Sequence, residues 1–168
     1  QDTVMFYNFA DALAHNAKRK PRHPALIQGD REISYSELDR RVDSIARGMQ
    51  ASGVTPGTVV GIALGDTVAH VATMVAIIRA GGVLIALDVR WTVEERRRVA
   101  AHFGARFIVL EPGADAVPGI TPLTVDALDQ SGIPGRLKLD PDAPLLMSLS
   151  SGTTGRPKGP MLTHRQMT

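Results

Sequence analysis

The amino-acid sequence predicts an α/β fold, with a parallel-rich sheet and helices on both faces of that sheet. Between residues 58 and 110, short apolar runs alternate with longer stretches of helical periodicity, and this rhythm is typical of parallel βαβ units. Residues 59–64 and 107–110 carry no polar side chain. Strands without a polar face are typical of sheets that helices cover on both sides.

A helix and a hairpin are predicted before this region. Apolar residues recur at helical spacing over residues 6–20, and Pro21 ends the pattern. Residues 25–27 and 32–35 are short strand-like runs on either side of Gly29 and Asp30. Such a turn pair between two short strands favours a β-hairpin.

The second helix is predicted to begin at Ser36. The serine hydroxyl can accept a hydrogen bond from the first helical turn, and Asp39 completes a capping pair three residues later. Gly53 supplies the stop. The buried face of this helix is predicted at four apolar positions, which are Leu38, Val42, Ile45 and Met49.

The alternating region divides into three strands and two helices. The strands are predicted at residues 58–64, 83–87 and 106–110, and the helices at residues 67–80 and 93–103. Thr92 and Glu95 form a second capping pair. Gly81 and Gly104 stand where helix ends favour a left-handed residue, so we interpret them as helix caps and not as ligand-binding residues.

The remaining segments are a basic run, a long connection and a last strand. Arginines 96–98 follow two glutamates on a predicted helix, and we interpret them as a solvated helical face. Residues 111–142 hold many prolines and glycines with little periodicity, which indicates a long surface connection without a domain of its own. Residues 145–149 are predicted to form a strand.

The amino-acid composition limits which classes of protein this chain can belong to. The chain has 168 residues, 43% hydrophobic and 21% charged, which is ordinary for a globular domain. Its 19 basic and 17 acidic residues give a net charge of +2, too balanced to favour nucleic acid or a membrane surface as a partner. The apolar stretch 68–78 is too short to span a bilayer. The absence of cysteine excludes disulfides and thiolate chemistry and fits a reducing compartment, so we expect a cytoplasmic protein.

One run carries the chemistry of a phosphate clamp: residues 150–159 read SSGTTGRPKG directly after the predicted last strand. Glycines let backbone N–H groups point inward, hydroxyls donate to phosphate oxygens and Lys158 supplies a positive charge. The spacing differs from a Walker loop, because Gly159 stands where that loop has a hydroxyl. The alternative is a flexible Ser/Gly linker, but a linker needs no lysine at a set offset and no strand before it.

Continued through Met161-Leu162-Thr163-His164, this run resembles the phosphate-binding signature of adenylate-forming enzymes, a superfamily of acyl-CoA synthetases, peptide-synthetase adenylation domains and luciferases. Residues 33–38 (ISYSEL) and 78–88 (IRAGGVLIALD) resemble two further motifs of that superfamily, so the likeness covers nearly the whole chain. Two positions depart from the pattern. Ala86 replaces a common proline, and Pro160 replaces a valine that enters a strand, where proline cannot donate a ladder hydrogen bond.

The resemblance implies which residues bind. The β- and γ-phosphates of ATP would be held by Ser150, Ser151, Gly152, Thr153, Thr154, Gly155 and Lys158, with Thr153, Thr154 and Lys158 weighing most. His164 would lie at the edge of the acyl pocket, the alternative being an ordinary packed or surface histidine. No catalytic residue is expected within the chain, because the catalytic lysine of the superfamily lies downstream.

No metal site of the protein itself is predicted. The other histidines, His15, His23, His70 and His102, have no partners at ligand spacing. Mg²⁺ is expected only as the companion of ATP. The implied co-substrates are ATP, CoA and a small carboxylic acid, and the sequence specifies no oligomeric state.

On this resemblance we expect the N-terminal fragment of an AMP-forming CoA ligase. Residues 1–168 would be an incomplete N-terminal AMP-binding domain, inactive without the rest of the large domain and the mobile C-terminal domain. A fatty acid is the expected substrate class, although the sequence does not specify the acid. Two alternatives stay open: a peptide-synthetase adenylation domain that loads a carrier thiol, and a non-catalytic binding or assembly module with the same fold.

Overall fold

The computed structural model describes residues 9–128, 144–147 and 161–163 of the chain. The helices are α1 (Phe9–Arg19), α2 (Tyr35–Ser52), α3 (Thr67–Arg79), α4 (Val93–His102) and α5 (Val125–Leu128). The strands are β1 (Pro24–Gln28), β2 (Arg31–Ser34), β3 (Val59–Ala63), β4 (Val83–Ala86), β5 (Phe107–Leu110), β6 (Thr121–Leu123), β7 (Pro144–Met147) and β8 (Met161–Thr163).

The main sheet has the strand order β6-β5-β3-β4-β7-β8. Each neighbouring pair from β6 to β7 is parallel, and β8 runs antiparallel to β7. β1 and β2 form a separate antiparallel hairpin. The predicted parallel-rich sheet and the predicted hairpin are therefore confirmed.

Helices cover both faces of the sheet, as predicted. The chain moves from β3 to its neighbour β4 through α3, and then back across β3 to β5 through α4. Right-handed crossovers in opposite directions require α3 and α4 to lie on opposite faces. One core accordingly joins α1, α2, α3 and α5 to residues such as Val60 and Leu84, and a second core joins α4 to residues such as Ile85 and Ile108.

The predicted start of α2 is wrong by two residues. Ser34, and not Ser36, is the N-cap: its backbone is extended and its side chain accepts a hydrogen bond from the Glu37 backbone N–H at 3.2 Å. Ser36 lies inside the helix, where its own N–H already donates to the carbonyl of Pro21 at 3.1 Å. Both serines have an acidic residue three positions later, so the sequence motif alone could not separate them.

The turn between α3 and β4 requires two glycines. Gly81 has φ +87°, a left-handed conformation that residues with a Cβ disfavour. Gly82 donates to the Ile77 carbonyl at 2.8 Å, and a Cβ on Gly82 would lie 2.9 Å from the Ile77 side chain. This is the Schellman end of a helix. The interpretation of Gly81 and Gly104 as helix caps is confirmed, since Gly104 has φ +70° after α4, and the Thr92–Glu95 capping box is present as well.

The segment 111–142 is more structured than the sequence indicated. It contains β6, which pairs parallel to β5, and the short helix α5, whose Leu128 is buried in the first core. Pro122 lies in β6, and a proline is tolerated there because β6 is the edge strand of the sheet. Three-residue strands and four-residue helices carry too little periodicity to be read from sequence.

The predicted solvated face of α4 is wrong for one of its three arginines. Arg97 and Arg98 are accessible, but Arg96 is only 9% exposed and its Nη2 donates to the Val89 carbonyl at 2.7 Å. The other bounds agree closely with the predictions: α1 ends at Arg19, and β7 begins at Pro144. Residues 6–8 of the predicted first helix and residues 148–149 of the predicted last strand lie outside the described residues.

A buried guanidinium joins three helices on one face of the sheet. Arg79, the last residue of α3, is 8% exposed. It donates to the Asp39 carboxylate at 2.8 Å and to the Asp43 carboxylate at 2.5 Å, both on α2. Its Nη2 also donates to the Ala10 carbonyl of α1 at 3.1 Å. Planar, multidentate donation of this kind is specific to arginine.

We predict that Arg79→Ala destabilises the protein by about 3 kcal/mol, because it removes one partner of a buried ionic network and opens a gap among three helices. Arg79→Lys should recover only part of this loss, since an ammonium cannot reach both carboxylates and the carbonyl together. Denaturant unfolding measures both. Arg98→Ala, on the exposed face of α4, is the matched control and should cost less than about 0.5 kcal/mol.

A second close contact fixes α5 on α2. A Cβ placed on Gly48 of α2 would lie 1.8 Å from the backbone oxygen of Leu128. The α5 backbone therefore packs directly on the α2 backbone at this position.

Gly48→Ala should displace α5 and destabilise the protein by about 1–3 kcal/mol, even though alanine is the better helix former by about 1 kcal/mol. Thermal unfolding and amide exchange at Leu128 measure the effect. An unchanged or raised unfolding temperature would show that the α2–α5 contact is not as close as described.

Candidate functional site

The topology marks one edge of the sheet for ligand binding. The chain leaves β3 toward β4 on one side and leaves β5 toward β6 on the other, so the connections diverge at the carboxyl ends of the neighbouring strands β3 and β5. In open α/β sheets, a crevice at such a switch point is the usual place for a ligand. The residues that follow β3, β4 and β5 all lie along this edge.

The predicted phosphate-binding residues lie outside the described residues, and so does His164. The strands on either side of the run 150–159 are described. β7 pairs parallel to β4 with Met147 opposite Ile85, and β8 pairs antiparallel to β7 with Met161 opposite Met147. β7 therefore ends at the carboxyl edge of the sheet, next to β4, and β8 begins beside the end of β7. β8 starts directly after Pro160, the residue that departs from the superfamily pattern.

The connection from β4 to α4 holds a fixed ion pair at this edge. The Asp88 carboxylate accepts hydrogen bonds from Nε and Nη2 of Arg90, at 3.0 and 2.7 Å, and from the Arg90 backbone N–H at 2.8 Å. Arg90 is otherwise turned to solvent, with 86% of its side chain exposed. These hydrogen bonds lower the pKa of Asp88 from 3.8 to about 2.

A second arginine also contacts this connection. The buried Arg96 of α4 donates to the carbonyl of Val89, and its positive charge also lowers the pKa of Asp88. Its Nε is buried without a hydrogen-bond partner among the described residues. Sequence analysis missed both arginines as site residues. The signal was an Asp-x-Arg spacing directly after a buried strand.

A cleft of about 370 Å³ opens at the same edge, on the other side of β3. Its lining includes the apolar side chains of Leu64 and Leu110 and the charged side chains of Arg41, Asp66 and Glu111. The two carboxylates have structural partners: Glu111 accepts from the Gly65 N–H at 2.7 Å, and Asp66 caps α3 through the Val68 N–H at 2.8 Å. The cleft therefore lies at the carboxyl ends of β3 and β5, and both carboxylates are engaged in fixing the turns around it.

Within residues 9–128, 144–147 and 161–163, no group of three or more His, Asp or Glu side chains is arranged to hold a metal ion. In the same ranges, no helix is both long and apolar enough to cross a membrane.

The described residues form a doubly wound α/β sheet, and the glycine- and hydroxyl-rich run follows β7 in the sequence. Residues 13–168 match the AMP-binding enzyme family. The match covers most of the chain, and the chain belongs to this family of adenylate-forming enzymes.

The relatives in this family include a feruloyl-CoA synthase and a plipastatin synthase. Feruloyl-CoA synthase of an Amycolatopsis species is 33% identical over 161 residues, which cover 90% of this chain and 32% of that protein. A plipastatin synthase polypeptide of Bacillus subtilis is 31% identical over 158 residues, which cover 89% of this chain and 4% of that protein. The chain thus spans about a third of the one relative and a small part of the other.

Solved structures share the fold. The N-terminal subdomain of NpsA from Klebsiella oxytoca, in complex with 3-hydroxyanthranilyl-AMSN, superposes with a TM-score of 0.83 at 23% identity, over 97% of this chain and 44% of that chain. O-succinylbenzoate coenzyme A synthetase of Bacillus subtilis, in complex with AMP, gives a TM-score of 0.80 at 24% identity, over 90% and 41%. At these identities the likeness establishes the fold.

The Asp88–Arg90 pair predicts a pH dependence. Because the folded pKa of Asp88 lies below its ordinary value, the stabilisation from ionising this group is complete above about pH 4 and is lost as the pH falls toward 2. A carboxyl ¹³C NMR titration should give a midpoint of about 2 for Asp88. In Arg90→Ala the midpoint should return toward 3.8, whereas Arg98→Ala should leave it in place. An Arg90→Ala midpoint equal to that of the unmodified protein would refute the pairing.

Proposed function

We propose that the protein is an ATP-dependent, AMP-forming ligase that activates a carboxylic acid as its acyl-adenylate and then transfers the acyl group to CoA. The observation that carries this proposal is the position of residues 148–160 in a chain of this family. β7, the strand directly before them in sequence, pairs with β4 and ends at the carboxyl edge of the sheet. A phosphate-binding segment is well placed there to present a nucleotide to a second substrate.

The proposed chemistry is displacement at the α-phosphorus of ATP. A carboxylate oxygen of the acid attacks that phosphorus, the bond to the bridging oxygen of the β-phosphate breaks, and pyrophosphate leaves with the electron pair. The sulfur of CoA then attacks the acyl carbon, its proton is released and AMP leaves. Mg²⁺ is proposed to arrive with ATP and to offset phosphate charge.

The residues proposed to hold the departing pyrophosphate are those of the clamp. Backbone N–H groups and the hydroxyls of Thr153 and Thr154 would donate to its oxygens, and Lys158 would supply a positive charge. Such donors act mainly as charge develops on the leaving group, so they contribute more to the transition state than to ground-state binding. Ser150, Ser151, Gly152 and Gly155 are proposed to complete the clamp, and His164 the edge of the acyl pocket.

We also propose two further properties of the protein, the extent of its domain and its cellular location. The chain spans about a third of feruloyl-CoA synthase, which supports the view that residues 1–168 form the first part of a larger domain and are inactive alone. The absence of cysteine fits a reducing, cytoplasmic location.

A peptide-synthetase adenylation domain is the second candidate. The 31% identity to the plipastatin synthase polypeptide is close to the 33% identity to feruloyl-CoA synthase, so overall similarity favours neither acceptor. The CoA proposal is supported by the run SSGTTGRPKG leading into Leu162-Thr163-His164, which looks more like the CoA-ligase branch. The acid class, for which we favour fatty acids, is open to direct test.

The test is carboxylate-dependent ATP–pyrophosphate exchange by the full-length protein, with fatty acids, aryl acids and amino acids as substrates. We expect exchange with one class of acid, followed by thioester formation when CoA is added. Exchange that is productive only with a carrier-protein thiol would favour the peptide-synthetase adenylation domain. Absence of exchange with every acid would favour the non-catalytic module.

Lys158→Ala should lower the exchange rate by about 10²- to 10³-fold, because the positive charge that faces the leaving group is removed. The KM for the acid should change little. Arg98→Ala is the control for loss of one exposed positive charge and should retain full exchange. An exchange rate in Lys158→Ala as high as that in Arg98→Ala would refute the clamp.

A further inference from the structure

A compact basic patch lies where α1 ends and the chain turns into β1. We call it the basic turn, and its exposed members fall within six positions: Lys18, Arg19, Lys20, Arg22 and His23. No aspartate or glutamate occurs in the sequence between Asp11 and Asp30. The net charge of +2 for the whole chain therefore hides a local excess of four positive charges, with His23 counted as neutral.

The dipole of α1 explains only part of the basic turn. Lys18 and Arg19 lie in the last helical turn, where positive charge is favourable, but the other members lie beyond the end of the helix. Among the described residues, no hydrogen bond or ion pair engages the side chains of the basic turn. The adjoining first turn of α2 carries one acidic residue, Glu37, which leaves an excess of three positive charges.

The backbone of the basic turn is fixed, although its side chains are exposed. The N–H of His23 donates to the Lys20 carbonyl at 3.1 Å. The carbonyls of Pro21 and His23 accept hydrogen bonds from the N–H groups of Ser36 and Tyr35, at 3.1 and 2.9 Å, where α2 begins. The positive charges are therefore held on one ordered turn, and a partner need not order that backbone when it binds.

The chemistry of the basic turn favours a lipid surface over a macromolecule. Protein interfaces are depleted in lysine and anchored by aromatic or apolar side chains, and residues 18–23 contain no Phe, Trp, Tyr or aliphatic side chain of that kind. Single-stranded nucleic acid is bound by aromatic stacking, and duplex DNA by neutralising about six to ten phosphates. Attraction to anionic lipid headgroups needs only clustered Lys and Arg near the surface.

We propose that the basic turn binds the surface of a membrane that contains anionic lipids, as a peripheral contact outside the hydrocarbon core. Each Lys or Arg within a Debye length of such a surface strengthens binding by about fivefold. The contact is reversible and weakens as salt is added. It does not depend on the proposed ligase activity, because lipid binding is measured without turnover.

The experiment measures cosedimentation of the full-length protein with lipid vesicles. One set of vesicles is phosphatidylcholine alone, and the other holds about one third phosphatidylserine. We expect binding to the anionic vesicles only, and its loss at about 0.5 M salt, where the Debye length falls to a few ångströms. Equal binding to both sets of vesicles, or binding to neither, would overturn the proposal.

A quadruple variant assigns the binding to the basic turn. Lys18→Gln, Arg19→Gln, Lys20→Gln and Arg22→Gln together should weaken binding to anionic vesicles by roughly a hundredfold or more. Because these side chains are exposed, circular dichroism and the unfolding temperature should stay unchanged. Arg98→Gln, which removes one exposed charge from α4, is the matched control and should bind as the unmodified protein does. A folded quadruple variant with unchanged binding would contradict the assignment.

A charge-preserving variant separates a lipid surface from a macromolecular partner. Arg19→Lys with Arg22→Lys should retain vesicle binding, since attraction to a charged surface depends on charge and not on the planar guanidinium. Polyglutamate and a duplex oligonucleotide serve as competing probes. If either one binds the basic turn more tightly than the anionic vesicles do, and the quadruple variant loses that binding, the partner is a macromolecule and the proposal is wrong.

Discussion

Four helices pack on one face of the sheet, and three of them, α1, α2 and α3, meet at the guanidinium of Arg79. It bonds to two carboxylates of α2 and a carbonyl of α1 from the last turn of α3. These contacts fix where α3 ends, and Gly81 and Gly82 then turn the chain directly into β4. The position of β4 in turn sets the position of its neighbour β7. The ligand edge therefore depends on a charged contact buried among the helices.

The same topology explains where the candidate cleft lies. The connection after β3 leads to β4 on one side and the connection after β5 leads to β6 on the other, so the two diverge at the carboxyl ends of neighbouring strands. The cleft lined by Leu64 and Leu110 lies at these strand ends. β7, the strand before the run 150–159 in sequence, is paired with β4 in the same sheet.

Most of the fold could be predicted from sequence, because buried parallel strands and capped helices have strong signals. Predictions from the sequence pattern were wrong where tertiary contacts determine the local structure. Ser34 and Ser36 offer the same capping motif, and the carbonyl of Pro21 takes up the N–H of Ser36. Arg96 stands among charged residues, yet the carbonyl of Val89 holds it inward. β6 and α5 are too short to show periodicity. The proposed clamp could be recognised because its residues are adjacent in sequence, whereas the contact of Arg96 with Val89 depends on three-dimensional packing.

The measurement that tests the central claim most directly is transfer of ¹⁸O from a labelled carboxylic acid during a complete ligation by the full-length protein. Attack of the carboxylate on the α-phosphorus leaves one acid oxygen on that phosphorus, so we predict ¹⁸O in AMP and none in pyrophosphate. Label in inorganic phosphate, with ADP as the nucleotide product, would indicate attack at the γ-phosphorus. That result would contradict the account of an adenylate-forming ligase that holds pyrophosphate as its leaving group.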